Sequence, residues 1–176
     1  MSIENNYIEN VQQLFAQYKS LAEKAMTQVE DKRLFWEFNN ESNSIAKLVQ
    51  HLNGNMLSRF TNFYEEDGEK PWRDRDTEFE TLLTTRLELN EAWEKGWQCF
   101  FNILNNLKEN DLMNTVVIRG EKHTVVQALN RQLAHYSYHI GQIVFLAKML
   151  NETGWHSLSI PKNKSVEFNE KMMMKP

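Results

Sequence analysis

The sequence has few residues that interrupt helices or cross-link the chain. Among its 176 residues are one cysteine, three prolines and six glycines. The lone cysteine, Cys99, excludes an internal disulfide, which is typical of a reducing compartment, so we expect a cytoplasmic protein. Because proline and glycine are the residues least compatible with a helix interior, their shortage favours long, uninterrupted helices.

Long apolar runs and a surplus of positive charge are also missing. No run of about 20 apolar residues is present to span a bilayer. The polar, acidic start MSIENNYIEN does not have the pattern of a signal peptide. The formal net charge is −4, with both signs interspersed, so no basic stripe marks a nucleic-acid interface. We expect neither a membrane nor a nucleic acid as a partner.

Two segments in the first half have apolar residues every three or four positions, which is the period of an amphipathic helix. The first helix is predicted from about Asn6 to Val29. The second begins after a cap at Asn43 or Ser44 and ends near EEDGEKPW, where glycine and proline predict a loop. This loop continues into RDRD and is dense in charge, which is typical of a solvated surface. Alternatively, it lies over a pocket and contacts a substrate through Arg73 or Arg75.

Two further helices are predicted in the second half. The third begins at Thr85, where Glu88 completes a capping box, and ends near Lys108. The fourth follows a cap at Thr124 and runs from about Val125 to Leu150. Between them, the β-branched residues of TVVIRGEKHTVV predict a small hairpin or an irregular crossover.

This pattern predicts an all-α protein: a four-helix bundle with a longer crossover before the fourth helix and a short C-terminal extension. We expect a single domain over residues 1–176, with a core from about 6 to 150. The tail, 151–176, is expected to hold one short helix after Ser165. Aromatic residues of the third helix cover more than one face, so some belong to the core and the remainder could form a subunit interface. They are Trp93, Trp97, Phe100 and Phe101.

The fourth helix contains two histidines one turn apart, His135 and His139, in RQLAHYSYHIGQ. Residues four apart share a helix face, so two imidazoles can converge on one metal ion. The spacing is that of the zinc-protease motif HExxH, but Tyr136 stands where that motif has its glutamate, which excludes a protease signature. The alternative is that the pair is simply packed and hydrogen-bonded.

A third histidine, His51, lies in the middle of the second helix, on the flank of its apolar face. In a bundle the second and fourth helices can face one another, which would bring His51 to the pair. Three histidines from two helices would leave one coordination position open, as in catalytic zinc sites, although imidazole also suits nickel, copper and iron. Asn55, Arg131 and Gln142 are candidates to support these histidines or to contact a substrate.

The segment SIAKLVQHLNGNM, followed far downstream by RQLAHYSYHIGQIVFL, resembles the DinB-like (DNA-damage-inducible B, YfiT-like) superfamily of four-helix bundles. The resemblance covers roughly Asn6 to Leu150. The segments HLNGNMLSRFTNF, DGEKPWRDRD, VVIRGEKHTV and SLSIP further resemble an uncharacterised bacterial subgroup.

This resemblance implies a metal triad with one histidine from the second helix and two from the fourth, here His51, His135 and His139. It implies a divalent ion, commonly nickel or zinc. For some members it implies transfer of a low-molecular-weight thiol to a small electrophilic substrate, and for many a homodimer. In such a site the metal lowers the pKa of a bound thiol or water, which then attacks the substrate near neutral pH. The superfamily name does not imply DNA binding.

Two other functions are compatible with the same residues. One is a non-catalytic metal-binding or stress-response bundle in which the ion fixes the fold, and the other is a bundle with three packed histidines and no metal. A ferritin-like di-iron site is disfavoured because the sequence has no Glu-x-x-His motif. Cys99 lies among aromatic residues and is expected to be a small hydrophobic residue outside the chemistry.

Overall fold

The computed structural model describes residues 1–80, 82–151 and 153–174, and most of them are helical. The helices are α1 (Ile3–Met26), α2 (Ile45–Phe60), α3 (Arg86–Leu104), α4 (Val125–Leu150) and α5 (Ser165–Met173). Two antiparallel strands, β1 (Thr115–Ile118) and β2 (Glu121–Thr124), lie between α3 and α4. Short 3₁₀ helices cover Asp31–Phe35, Thr77–Phe79 and Glu109–Asp111. The all-α class expected from the sequence is consistent with this content.

The predicted caps begin the helices at the expected residues. Ser44 accepts a hydrogen bond from the backbone N–H of Lys47, while Thr85 and Thr124 each form a complete capping box. Such caps satisfy backbone N–H groups that have no partner within the helix. The predicted bounds of α1 and the predicted end of α3 were wrong by several residues. Helix α1 begins after the cap Ser2 rather than near Asn6, and no glycine or proline marks the actual end of α1 or α3.

The long helices bury one continuous apolar core. Helix α2 packs chiefly on α3, α1 packs on α4, and α2 also touches α4. Ring pairs connect them: the centroids of Phe15 and Phe100 are 4.5 Å apart, and those of Phe100 and Tyr136 are 5.8 Å apart. The contact between α2 and α4 is the one that positions the histidines.

The aromatic residues of α3 point into the core. Trp93, Trp97 and Phe100 are buried, and the partly buried Phe101 stacks on Trp97 at a centroid distance of 5.4 Å. The expectation that some of these rings are core is confirmed. The suggestion that the remainder form a subunit interface stays a prediction, and Phe101 is the one of the four rings that is only partly buried.

The predicted hairpin is present and is tied to the charged loop after α2. Arg119 and Gly120 both have positive φ, 56° and 75°, which is the backbone of a tight two-residue hairpin turn. Asp67 accepts hydrogen bonds from both of their N–H groups, at 2.7 and 2.6 Å. The N–H of Gly68 donates to the carbonyl of Val117 at 2.8 Å. These bonds hold Arg119 over the end of α2.

The predicted tail helix is α5, and the segment before it folds back on the core. Trp155 and Leu158 pack against buried residues, and the backbone of His156 exchanges hydrogen bonds with the side chain of Gln28. None of the helices within the described ranges combines the length and apolarity that a membrane span requires.

Candidate metal centre

Three histidine side chains converge where α2 meets α4. His51, His135 and His139 each offer a ring nitrogen, and the three atoms lie within 4.8 Å of one another. The Nε2 atom of His135 is 3.2 Å from Nε2 of His51 and 3.0 Å from Nε2 of His139. His51 is buried, His139 is nearly so at 9% exposed, and His135 is partly buried. The sequence therefore predicted the three members of the cluster, and such a group could hold a metal ion.

Glu78 fixes the ring of His51 from the side opposite the cluster. Its Oε2 atom accepts a hydrogen bond from Nδ1 of His51 at 2.9 Å. The buried guanidinium of Arg73 donates to both oxygens of Glu78, at 2.6 and 2.8 Å. Burial alone would raise the pKa of Glu78, but the hydrogen bonds from His51 and Arg73 outweigh it and lower that pKa. A charged carboxylate behind a histidine is the arrangement that orients metal-binding imidazoles in proteins.

Two features of α2 bring Glu78 to this position. The side-chain amide of Gln50 contacts the backbone carbonyls of Thr77, Glu78 and Glu80 at 2.9–3.2 Å, which holds the segment against the helix. Gly54 leaves room for the carboxylate, since a Cβ atom there would lie only 2.9 Å from Cδ of Glu78 and overlap its Oε1. The glycine in mid-helix is therefore explained by the close approach of a side chain.

Gln142 has the same role toward His139. Its Oε1 atom is 2.8 Å from Nδ1 of His139, from a position three residues further along α4. Because a carboxylate or amide oxygen can only accept, Nδ1 of His51 and Nδ1 of His139 each carry a proton. In the neutral form of these two rings, the Nε2 atoms present lone pairs toward His135.

The arrangement of protons fits a cation at the centre of the cluster. Only Nε2 of His135 is left to donate, and one hydrogen cannot serve both neighbouring lone pairs. A cation between the rings would be bound by all three Nε2 lone pairs, with the proton of His135 moved to Nδ1. Neutral imidazole of this kind is a common ligand of zinc, nickel, copper and iron.

Electrostatics keep His135 in the neutral form that a metal needs. Burial is the main cause, followed by repulsion from the positive forms of His139 and His51 and from Arg73 and Arg59; together they lower the pKa of His135 to about 3. Burial also lowers the pKa of His139, although the hydrogen bond to Gln142 opposes this.

A pocket of about 320 Å³ opens beside the cluster, lined by His51 and His135 together with polar side chains from several segments. Asn55 and Arg131 line it, and so does Arg75 of the charged loop. Asn55 is itself fixed by the hydroxyl of Tyr136, which lies 3.2 Å from its Oδ1. The loop is thus more than a solvated surface: Arg75 faces the pocket, while Arg73 is buried against Glu78.

Glu78 is the residue of the site that the sequence did not predict. It lies 27 positions after His51 in a segment with no helical or strand period. Cys99 lies outside the cluster and the lining of this pocket. Its Sγ atom is 3.7 Å from the hydroxyl of Thr61, and burial raises the pKa of its thiol, as expected for a packing residue.

A family model described as "Protein of unknown function (DUF1572)" matches residues 2–164. The chain belongs to the DUF1572 family. No curated protein and no solved structure gives a significant match. In this DUF1572 member the matched region includes the three histidines, Glu78 and the hairpin.

The low pKa of His135 predicts that the metal-free DUF1572 protein loses stability in mild acid. An imidazole in the unfolded chain has a pKa of about 6.5, whereas that of folded His135 is about 3. Between these values the unfolded chain binds more protons, so the free energy of unfolding falls as the pH falls, by at most about 1.4 kcal/mol per pH unit. Above this pH range His135 is neutral in both the folded and the unfolded chain, so it adds no pH dependence to the free energy of unfolding.

Urea unfolding of the metal-free protein across this pH range measures how steeply the free energy of unfolding changes with pH. The His135→Gln variant is expected to have a shallower slope, and His156→Gln, which removes an exposed histidine of the tail, to keep that of the parent. Equal slopes for the parent and His135→Gln would contradict the pKa assigned to His135.

Proposed function

We propose that the protein is a metal-dependent enzyme of the DinB-like superfamily, in which His51, His135 and His139 hold one divalent ion, nickel or zinc. Its reaction would be transfer of a low-molecular-weight thiol to a small electrophilic substrate, or hydrolysis of that substrate. The observation that carries the proposal is the convergence of three Nε2 atoms, two of them on rings whose Nδ1 atoms are held by Glu78 and Gln142.

The number of ligands favours a catalytic site over a purely structural one. Within the described residues, no fourth histidine, cysteine or acidic side chain joins the group of three. Structural zinc sites are generally closed by four protein ligands, whereas catalytic sites have three and leave a position for water or substrate. Glu78 cannot easily become the fourth, because Arg73 and His51 occupy its oxygens. A purely structural metal site, which is the non-catalytic alternative, would therefore lack its fourth protein ligand.

When bound, the divalent ion supplies Lewis-acid chemistry that makes a thiol or water nucleophilic near neutral pH. The residues of the chain have the other tasks. Glu78 and Gln142 keep the protons of His51 and His139 on Nδ1, so that Nε2 is free to bind. Asn55, held by Tyr136, and Arg131 are proposed to contact the substrate, since both line the pocket beside the triad.

The same proposal includes the fold and the assembly. We propose that α1 to α4 form a four-helix bundle of the DinB-like type and that residues 1–176 form one domain. One continuous core that includes residues of all four long helices supports this.

The homodimer implied by the resemblance stays a prediction. Light scattering of the purified protein tests it, and a monomer would refute it.

Cobalt substitution tests whether the site is open. With Co²⁺ in the triad, azide or a low-molecular-weight thiol is expected to change the visible absorption spectrum, because at least one position is available to an external ligand. Thiol-transfer assays on the metal-loaded protein follow. A cobalt spectrum that neither azide nor thiol perturbs would mean a closed site and would contradict the enzyme proposal.

Replacement of Gly54 tests the support that Glu78 gives to His51. In Gly54→Ala the new methyl group overlaps the carboxylate of Glu78, which is clamped by Arg73 and cannot simply move aside. We expect metal affinity to fall by roughly 10-fold or more, the usual cost of losing a partner behind a ligand. Isothermal titration with Ni²⁺ or Zn²⁺ measures it.

Gly141→Ala is the matched control. Gly141 is also a helix-interior glycine and lies between His139 and Gln142, but nothing is within 4 Å of its would-be Cβ. This variant is expected to bind metal like the parent and to be more stable by about 0.4–1 kcal/mol. Metal affinity unchanged in both variants would show that Glu78 does not support the site.

A further inference from the structure

The pocket beside the triad is lined by arginines from four separate parts of the chain. Arg59 comes from the last turn of α2, Arg75 from the charged loop, Arg119 from the hairpin turn and Arg131 from α4. No acidic side chain is among the residues that line this pocket. Such a convergence of positive charge has no role in binding a divalent cation, so it calls for a separate explanation.

One carboxylate, that of Glu69, is hydrogen-bonded to these arginines, and the charges of Asp67 and Glu78 also act on Arg59 and Arg75. The oxygens of Glu69 accept hydrogen bonds from Arg75 and Arg119, at 3.0 Å and 3.2 Å, and from Arg59 at 3.3 Å. The hydrogen bond from Arg75 is the main reason that the pKa of Glu69 falls to about 2, so Glu69 is charged at neutral pH. Among the described residues Arg131 has no hydrogen-bond or ion-pair partner. Three of the four guanidinium groups thus share one carboxylate as their ion-pair partner.

Two buried polar atoms at the pocket also lack partners. The Oε1 atom of Gln132, a residue that is 2% exposed, has no hydrogen-bond partner among the described residues. The same holds for Nε of Arg59, which is 4% exposed. Leaving buried polar groups unpaired lowers the stability of a fold, so each such group calls for an explanation, such as a role in function or a bound water, ion or ligand. Here one unpaired atom is a donor and the other is an acceptor.

We propose that this pocket binds a small organic oxyanion, a phosphate monoester that also carries a hydroxyl group, as the substrate that the neighbouring triad hydrolyses. The arginines recognise the oxyanion, because guanidinium groups match phosphate and carboxylate oxygens in charge and geometry. The hydroxyl group donates to Oε1 of Gln132. A volume of about 320 Å³ admits only a small molecule, at the lower end of the roughly 300–1,000 Å³ of ligand pockets.

This inference rests on the proposed function in one respect, that the anion is the substrate of the metal site. His51 and His135 line the pocket as well as belonging to the triad, so a bound molecule touches both. Binding of the anion itself requires only the arginines and Gln132. It can therefore be measured on metal-free protein, whatever the outcome for the metal.

Calorimetric titration of the metal-free protein tests the proposal. The probes are glycerol 3-phosphate, inorganic phosphate and malonate, with glycerol as the uncharged probe. We expect all three anions to bind, glycerol 3-phosphate most tightly because it adds hydroxyl groups, and glycerol not to bind. Absence of binding by every anion would overturn the proposal, and so would equal binding of glycerol. Binding of inorganic phosphate alone would overturn the claim of an organic ligand.

Two variants locate the binding. Arg131→Gln removes an exposed arginine without a partner, so the fold is kept, and it is expected to raise the Kd for the anions about tenfold. Lys148→Gln is the matched control, because it removes one positive charge from an exposed position of the same helix outside the pocket. Equal effects of the two substitutions would mean general attraction by net charge and would overturn the site.

Gln132→Met separates a binding role from a structural one. The methionine has nearly the same shape but no unpaired polar atom, so we expect the ligand-free protein to have an equal or higher Tm. At the same time the Kd for glycerol 3-phosphate rises. A lower Tm with unchanged binding would mean that Gln132 is a structural residue.

A paramagnetic metal connects the two sites. With Co²⁺ in the triad, the ³¹P resonance of bound glycerol 3-phosphate is expected to broaden. Anion binding without metal uptake would contradict the proposed metal function and leave the anion site standing. Metal uptake without anion binding would contradict the anion site and leave the proposed metal function standing. Uptake of both without broadening would contradict the claim that the anion is the substrate of the triad.

Discussion

His135→Ala is expected to abolish stoichiometric binding of a divalent ion. His135 is the central member of the triad, since its Nε2 atom is within 3.2 Å of Nε2 of both other histidines. Without its imidazole, only two possible ligands remain, and the contact between His135 on α4 and His51 on α2 is lost. We expect the Kd for Ni²⁺ or Zn²⁺ to rise by at least about 100-fold, equivalent to roughly 2.7 kcal/mol or more.

Competition titration with a coloured chelator measures this affinity. His123→Ala is the control, because His123 belongs to the hairpin and not to the cluster. It is expected to bind metal like the parent, and circular dichroism shows whether each variant is folded. Metal affinity unchanged in folded His135→Ala, or lowered equally in His123→Ala, would contradict the proposed triad.

Glu78→Gln is expected to have the second largest effect. The amide keeps an oxygen for His51 but loses the charge that favours the Nδ1 proton, so metal affinity should fall by about 10- to 100-fold. The buried guanidinium of Arg73 also loses its partner. Breaking such a pair typically costs about 3–5 kcal/mol of stability.

Arg73→Met separates these two effects. It breaks the same buried ion pair but leaves the hydrogen bond between Glu78 and His51 in place. Both variants should therefore lose stability, as measured by urea unfolding, while Glu78→Gln loses clearly more metal affinity by calorimetric titration. The same loss of affinity in both would mean that Glu78 acts only through the stability of the fold.

The sequence predicted those parts of the structure that depend on local patterns. The caps at Ser44, Thr85 and Thr124 could be predicted because each is a short polar residue that precedes a segment with apolar residues at helical spacing. Gln142 was readable as a neighbour of His139 because both lie on one helix, three residues apart. The approach of His51 to the pair followed from assuming that the second and fourth helices face one another.

The residues that were missed reach the site through non-local contacts. Glu78 is placed by Gln50, Gly54 and Arg73, and none of these contacts has a spacing that could be recognised in the sequence. The one local signal was Gly54, a glycine inside an otherwise regular helix one turn after His51. Such a residue often marks a close approach by another group.

The arginine pocket was only partly predicted from the sequence: Arg75 and Arg131 were candidates for substrate contact, whereas Arg59 and Arg119 were not. Arg59, Arg75 and Arg119 belong to a helix end, a loop and a hairpin turn, and they meet only because Asp67 ties the loop to the hairpin and Glu69 joins the three guanidinium groups. The charged loop was expected to be a solvated surface, with substrate contact as the alternative. Its charges are instead divided between Arg73, which serves the histidines, and Arg75, which faces the pocket.

X-ray absorption at the metal edge of the nickel- or zinc-loaded protein, with metal content by mass spectrometry, tests the central claim most directly. We predict one divalent ion per chain, bound by three imidazoles and at least one light atom from solvent. Failure of the protein to take up either metal, or a bound ion surrounded by fewer than three imidazoles, would contradict the account.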